Sequence, residues 1–299
     1  HPIFVRALIM DSSPPILFDR ARLRKRRERA ASTVAQHDFL HREAAAAVAE
    51  SLAFINRPFP VMVEIGAQTD AAKTLLATRP GTTHYVAADL CSKNLKNTEG
   101  LRVAADEELL PFAAESVDAV ISILALHWVN DLPGTLAQIY RMLKPDGLFI
   151  AVLPGGETLR ELRSTLATAE TNLTGGMHAR VAPFIDVRDA GALLQRAKFA
   201  LPVADSELLT ITYPTLFALM AELKTTAQSS LLTTRPKRFT PRCLFLEAAT
   251  HYATAHPDGE GGIKATMELV TLTGWKPSIN QQQPAKRGSG TVSLTKALQ

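Results

Sequence analysis

Strand and helix signals alternate along the first half of this chain, and this alternation constrains the fold more than any other feature. Short apolar runs predict strands at 61–65, 84–88, 101–104, 117–123 and 148–152, and a later run predicts a strand at 208–213. Helical patterns separate several of them, as at 71–78 and 132–143. Strands spaced by helices of this length are typical of a doubly wound sheet. We therefore expect an α/β fold with a mainly parallel sheet.

The composition changes along the chain and suggests a division into segments. The predicted order is an N-terminal extension (1–16), a basic helical region (17–60), a Rossmann-like cofactor-binding core (61–153), a helical cap with the remaining strands (154–279) and a C-terminal tail (280–299). The stretch 17–54 contains no Gly or Pro, which favours one or two helices. We expect the later helices to cover the carboxyl ends of the strands, where ligands bind in open α/β sheets.

The overall composition excludes several classes of protein. With 299 residues, 46% of them hydrophobic and 21% charged, the chain can bury a full core. No apolar run approaches the ~18 residues that a membrane-spanning helix needs. Two cysteines, Cys91 and Cys243, cannot form a disulfide framework, and no Cys/His spacing predicts a metal site.

The net charge of +4 comes from one short block. The segment Arg20–Arg29 holds seven basic residues and one acid, so the remainder of the chain is slightly acidic. One interpretation is an arm that binds a protein partner, RNA or an anionic membrane surface. Its contacts would be Arg22, Arg24, Lys25, Arg26 and Arg27. The other interpretation is a solvated helix face, and no aromatic residues interleave the block as in single-strand binding surfaces.

Acidic residues follow three consecutive predicted strands. Glu64 and Gly66 close the first strand, where one small residue lets backbone groups approach a ligand. Asp89 ends the second strand and could accept both ribose hydroxyls of a nucleoside cofactor, while Asp106 after the third could accept an adenine amino group. Each has a structural alternative, a tight turn for Gly66 and a helix cap for either aspartate. Together they favour a positively charged adenosine cofactor such as S-adenosylmethionine.

Two residues weigh against that cofactor. Gln68 adds bulk and Asp70 adds negative charge to the loop after the first strand, where a nucleotide ligand needs bare backbone. After the fourth strand, His127 and Trp128 are candidates for a substrate pocket. Trp128 has an alternative role in the core beneath the next helix.

Several runs resemble a known family, the methyltransferase-type mitochondrial assembly factors of respiratory complex I. They are 18–20, 105–112, 126–133, 143–147, 155–159, 274–276 and 284–293. The resemblance implies a class I methyltransferase fold, S-adenosylmethionine as cofactor and contacts to it from Glu64, Gly66, Asp89 and Asp106. It also implies a mitochondrial matrix protein, peripheral to the inner membrane, that hydroxylates an arginine of a complex I subunit.

The sequence thus leads to one main hypothesis and two alternatives. The main hypothesis is a methyltransferase-like mitochondrial assembly factor that modifies or chaperones a subunit of a large complex. The first alternative is an inactive methyltransferase-fold scaffold in a mitochondrial ribonucleoprotein or ribosome assembly particle. The second is an active methyltransferase that acts on a small molecule or a protein. The fold alone does not choose among them.

Overall fold

The computed structural model describes residues 16–96, 98–236, 238–279 and 281. The predicted N-terminal extension and C-terminal tail therefore lie outside the described residues, apart from residues 16 and 281, and so does the run 284–293.

The described residues contain a seven-stranded sheet with the order β3-β2-β1-β4-β5-β7-β6. The strands are β1 (Val61–Ile65), β2 (His84–Asp89), β3 (Leu101–Ala104), β4 (Val117–Ile123), β5 (Leu143–Pro154), β6 (Ala200–Tyr213) and β7 (Ile263–Trp275). Strands β1 to β5 pair in parallel, whereas β7 is antiparallel to both β5 and β6. The predicted α/β class with a mainly parallel, doubly wound sheet is confirmed.

Helices flank this sheet on both faces. They are α1 (Arg20–Ala30), α2 (Phe39–Ala53), α3 (Ala71–Leu76), α4 (Leu132–Met142), α5 (Arg160–Thr174), α6 (Val187–Arg196), α7 (Leu216–Thr225) and α8 (Arg242–Ala255). Side chains of Asp19, Asp131, Asp186 and Thr215 cap the amino ends of α1, α4, α6 and α7, as expected for these residue types. Within the described chain, no helix is both long and apolar enough to cross a bilayer.

The central strands are buried on both faces, which explains their continuous apolar sequences. On one face Ile65, Val120 and Phe149 pack in a core with residues of α4 and α6. On the other face Met62 and Ile150 pack in a second core with residues of α2 and α3. These two layers fix the carboxyl ends of β1 to β5 at one edge of the sheet.

The later helices cover part of that edge. A third core joins α5, α7 and α8 through residues such as Leu162, Leu219 and Tyr252. Leu223 of α7 lines a small cavity together with Leu124 and Pro154, at the ends of β4 and β5. The expected helical cap over the strand ends is therefore present.

The apolar pattern of the sequence misses one strand and shortens two. It predicts no strand for β7, and it begins β5 at residue 148 rather than at Leu143 and β6 at residue 208 rather than at Ala200. Strands β6 and β7 pair with each other in an antiparallel register from Ala200 and Trp275 to Tyr213 and Ile263. Most of β6 is only half-buried or exposed, so its apolar pattern is weak and the pairing itself defines the strand.

Candidate functional site

Three acidic side chains meet at the carboxyl ends of β2 and β3. The parallel register sets Asp89 opposite Ala104, so the residues that follow β3 run past the Asp89 carboxylate. Two of these residues, Asp106 and Glu107, complete a group that we call the acid cluster. The side chains of Asp89 and Glu107 are buried. Glu107 is absent from the predicted site residues, since its one sequence signal is its position directly after Asp106.

Two arginines of α1 form ion pairs with the carboxylates of the acid cluster. Arg27 Nη1 lies 2.9 Å from Asp89 Oδ2 and 2.7 Å from Glu107 Oε1. Arg20 Nη2 pairs with the carboxylates of Asp106 and Glu107. At 3.6 residues per turn, positions 20, 23 and 27 share one helix face, and Leu23 on that face is also buried. Part of the basic block is therefore bound by its own chain.

The segment ahead of α1 is fixed to the loop that follows β4. Asn130 Oδ1 accepts hydrogen bonds from the backbone amides of Leu17 (2.8 Å) and Phe18 (2.7 Å). The Phe18 ring stands nearly perpendicular to the Trp128 ring, with a centroid separation of 5.2 Å, which is a favourable aromatic geometry. Asp19 then caps α1. These contacts determine which face of α1 meets the acid cluster.

The ionised groups of this site depend on one another because the site is desolvated. Burial alone would lower the pKa of Arg27, but Asp89 and Glu107 raise it well above its usual value. Burial opposes ionisation of Glu107 as well, but Arg27 and Arg20 hold its pKa below the usual range. Burial raises the pKa of Asp89, and Arg27 opposes that shift. Arg27 is thus the counter-ion that keeps two buried carboxylates charged.

Glu64 lies apart from the two arginines. Its Oε2 accepts a hydrogen bond from the Tyr85 hydroxyl at 2.8 Å, and the carboxyl is buried. Burial, together with the negative charges of Asp70 and Asp89, raises its pKa to about 8, although the hydrogen bond from Tyr85 opposes this shift. The side chain is therefore largely protonated at neutral pH. The structure brings Asp89 and Asp106 together with Arg20 and Arg27, but it gives Glu64 a different partner.

The loop after β1 packs against other segments of the same chain. Gly66 has a φ of +78°, and a Cβ at this position would lie 2.1 Å from the Ala125 Cβ, so glycine is required there. Gln68 is buried and its Nε2 donates to the Thr226 carbonyl at 2.7 Å. Asp70 Oδ1 accepts a hydrogen bond from the Thr98 hydroxyl at 2.7 Å. Gln68 and Asp70 thus connect this loop by hydrogen bonds to other segments of the chain.

These contacts test whether the residues fit S-adenosylmethionine. Asp89 Oδ1 accepts from the Cys91 amide (2.6 Å) and the Asn94 side chain (3.1 Å), and Oδ2 accepts from Arg27. Asp106 is engaged by the other arginine of α1. The carboxylates that should hold ribose and adenine therefore already have protein donors. The residues do not fit the cofactor while α1 lies across the acid cluster.

His127 and Trp128, the predicted substrate-pocket residues, form a short turn after β4. Trp128 is buried, and its Nε1 donates to Gln228 Oε1 at 2.9 Å. Because an indole N–H can only donate, this contact identifies the Gln228 atom as the oxygen. His127 Nε2 lies 3.0 Å from the same oxygen and must carry a proton. Burial lowers the pKa of His127 to about 3, so the ring is neutral and Nδ1 is a hydrogen-bond acceptor.

The cavity beside these two residues is small. It has a volume of about 60 Å³ and is also lined by His41 of α2. Both ring nitrogens of His41 are buried without a hydrogen-bond partner among the described residues. Burial and the nearby charge of Arg27 lower its pKa to about 4. Binding sites for organic ligands usually exceed ~300 Å³, so this cavity accommodates water rather than a substrate.

The predicted partner-binding residues divide by helix face. Arg24 and Lys25 are exposed, and Arg22 and Arg26 are half-buried. Arg27 is 1% exposed and ion-paired internally, so the expectation that it contacts a partner is wrong for this structure. Its buried position follows from its spacing with Leu23 on the inward face of α1. Over the described ranges, no three His, Cys, Asp or Glu side chains are grouped as metal ligands.

Comparison with known proteins agrees with this fold. The family profile described as "Methyltransferase domain" matches residues 63–151. The arginine-hydroxylase NDUFAF5, mitochondrial, of Danio rerio is 35% identical over 285 residues, covering 93% of this chain and 88% of that protein. Its counterpart from Homo sapiens is 37% identical, with 93% and 82% covered. The crystal structure of YcgJ from Bacillus subtilis superposes with a TM-score of 0.53 at 17% identity, covering 79% of this chain and 99% of that one.

Replacing Arg27 by methionine should strongly destabilise the fold. The change leaves Asp89 and Glu107 buried without their shared counter-ion, which typically costs about 3–5 kcal/mol. Urea-induced unfolding measures the loss. Arg24→Met, on the exposed face of α1, is the matched control and should change the free energy of unfolding by less than about 0.5 kcal/mol. Equal effects of the two substitutions would contradict the internal role of Arg27.

Glu64 should make the protein less stable as the pH rises. Its pKa is about 8 in the folded protein and 4.5 in an ordinary carboxyl, so the folded form binds the extra proton between these values. The corresponding stability is complete below pH 4.5 and is lost as the pH rises through 8, on the order of 4 kcal/mol in total. Thermal unfolding from pH 5 to 9 should therefore show a steeper fall in Tm for the native chain than for Glu64→Gln. The exposed Glu43→Gln should retain the native slope; parallel curves for all three proteins would refute the assignment.

Proposed function

Because this chain belongs to the family of the mitochondrial arginine-hydroxylase NDUFAF5, we propose that it is a methyltransferase-like assembly factor in mitochondria. It binds a protein subunit of a large complex, and the family resemblance suggests respiratory complex I. Its relatives are described as mitochondrial, which supports the same compartment for this chain. We further propose a matrix location, with peripheral association at the inner membrane.

The occupancy of the acid cluster carries this proposal. Arg27 and Arg20 hold the carboxylates that a methyltransferase needs for ribose and adenine. In the loop after β1, the side chain of Gln68 is buried and donates a hydrogen bond to the Thr226 carbonyl. A chain with these contacts retains the methyltransferase architecture, but its carboxylates for ribose and adenine are paired with arginines of its own. It therefore acts by chaperoning its subunit rather than by transferring a methyl group.

A second candidate function is modification of a protein arginine, the activity after which the relatives are named. One observation favours it: the acid cluster already binds two guanidinium groups, those of Arg20 and Arg27. Carboxylates arranged around a guanidinium are suited to a substrate arginine as well. This function would require α1 to move away from the acid cluster.

Calorimetric titration with S-adenosylmethionine distinguishes a chaperone from an enzyme that depends on this cofactor. We expect no binding heat from the native chain at millimolar cofactor, because α1 occupies the acid cluster. A variant with the loop opened, Gln68→Gly with Asp70→Gly, should also show none, since Arg27 remains in place. One-to-one binding by the native chain that is lost in Asp89→Ala would instead support a cofactor-dependent enzyme.

Loss of the protein should lower the amount of assembled complex I. Native gels of mitochondria from depleted cells measure the complex, and the native chain should restore it. A tagged chain should co-purify with complex I subunits, and mass spectrometry of those subunits reports any arginine modification. Unchanged complex I after depletion would refute the proposed function. Recovery of ribosomal proteins and RNA instead would support the ribonucleoprotein alternative, and loss of an arginine modification would support the second candidate.

A further inference from the structure

A groove lies on the side of α1 that faces away from the acid cluster. It is bounded by α1, by α5 and α8, and by the segment after α7, and it has a volume of about 350 Å³. Its rim carries Arg22, Arg26, Arg180 and Arg235. We call it the arginine groove. Two of the rim residues, Arg22 and Arg26, belong to the basic block, but no residue of the acid cluster lines the groove.

The positive charge on this rim is incompletely neutralised. Arg180 pairs with Glu170, whereas Arg22, Arg26 and Arg235 make no ion pair with any described residue. Burial and the like charges of Arg22 and Arg235 together lower the pKa of Arg26 to about 10. Its Nη1 donates to the carbonyl of Ser230 at 2.9 Å, so the guanidinium is held at the groove. Such mutual repulsion opposes folding and is relieved when an anion binds.

The floor of the groove is apolar. Leu162 and Leu166 of α5, Met220 of α7 and Phe245 of α8 line it. The buried hydroxyl of Ser230, also in the lining, has no hydrogen-bond partner among the described residues. A ligand for this groove must therefore combine an apolar part, for the floor, with negative charge, for the rim.

We propose that the arginine groove binds an acidic amphipathic segment of a partner protein. One or two large apolar side chains of that segment enter the floor, and flanking Asp or Glu carboxylates pair with Arg22, Arg26 and Arg235. This inference rests on the proposed function insofar as it takes the partner to be a protein. RNA fits less well, since the described lining of the groove holds a single aromatic ring, the half-buried Phe245, and its floor is apolar. A flat membrane surface does not reach a concave floor.

Fluorescence anisotropy with a labelled model peptide tests this assignment. The probe is a 16-residue peptide that places Leu and Phe on one helical face and Glu on the flanks. Two further peptides, one with Lys for every Glu and one with Ser for every Leu and Phe, separate charge from apolar contact. We expect binding of the first peptide alone, weakened by salt. A single-stranded RNA oligonucleotide and phosphatidylserine vesicles should bind at least tenfold more weakly.

Matched variants locate the binding on the chain. Arg22→Gln with Arg235→Gln should weaken binding of the acidic peptide about tenfold. Arg188→Gln with Arg196→Gln removes the same charge from two exposed arginines of α6 outside the groove and should change it less than twofold. The groove variant should unfold at the same temperature as the native chain or higher, because it removes a like-charge repulsion. Equal weakening by both pairs, no peptide binding, or tighter binding of RNA or vesicles would overturn the proposal.

The failure of this inference can be told apart from the failure of the proposed function. In depleted cells, the groove variant should restore less complex I than the native chain. Restoration by both chains would refute the groove and leave the assembly role intact. Complex I that is unchanged by depletion would refute the assembly role itself.

Discussion

The contact between Arg27 and the carboxylates of Asp89 and Glu107 organises the functional edge of this protein. It joins the N-terminal helix to the ends of two strands from the centre of the chain. Buried ion pairs contribute little net stability compared with apolar packing, but the loss of one partner leaves an uncompensated charge. These ion pairs therefore hold the helix in its position on the sheet. The position of α1 in turn determines which arginines are accessible and which carboxylates are not.

In this arrangement, the acidic residues at the strand ends of a methyltransferase fold bind arginines of the same chain. The strand order, the glycine turn after β1 and the acids after β2 and β3 are all present. The turn is packed against Ala125, and the acids are bonded to arginine side chains of the same chain. A fold can keep its architecture while the site it supports changes, because the core and the strand-end loops are stabilised by separate contacts.

Much of the fold could be predicted from the sequence, since β1 to β5 are short apolar runs between helical patterns. The antiparallel pairing of β6 with β7 could not, because these strands are far apart in the sequence and long-range pairing rather than local pattern defines them. The candidate acids after β2 and β3 were identifiable from their positions at strand ends. The burial of Arg27 was hidden by the surrounding charge, although its spacing with Arg20 and Leu23 marks a common helix face. Glu107 and the orientation of Glu64 toward Tyr85 depend on tertiary packing, which local sequence does not encode.

The distance along the chain between α1 and its carboxylates has a consequence for biosynthesis. Arg27 precedes Asp89 by 62 residues and Glu107 by 80. A ribosome or an import channel releases the basic helix well before either carboxylate, so its guanidinium groups remain hydrated during that interval. The ion pairs between α1 and these carboxylates can form only after β2 and β3 have joined β1. The nascent chain consequently passes through a stage at which every arginine of α1 is available to chaperones or to the negatively charged surfaces it meets.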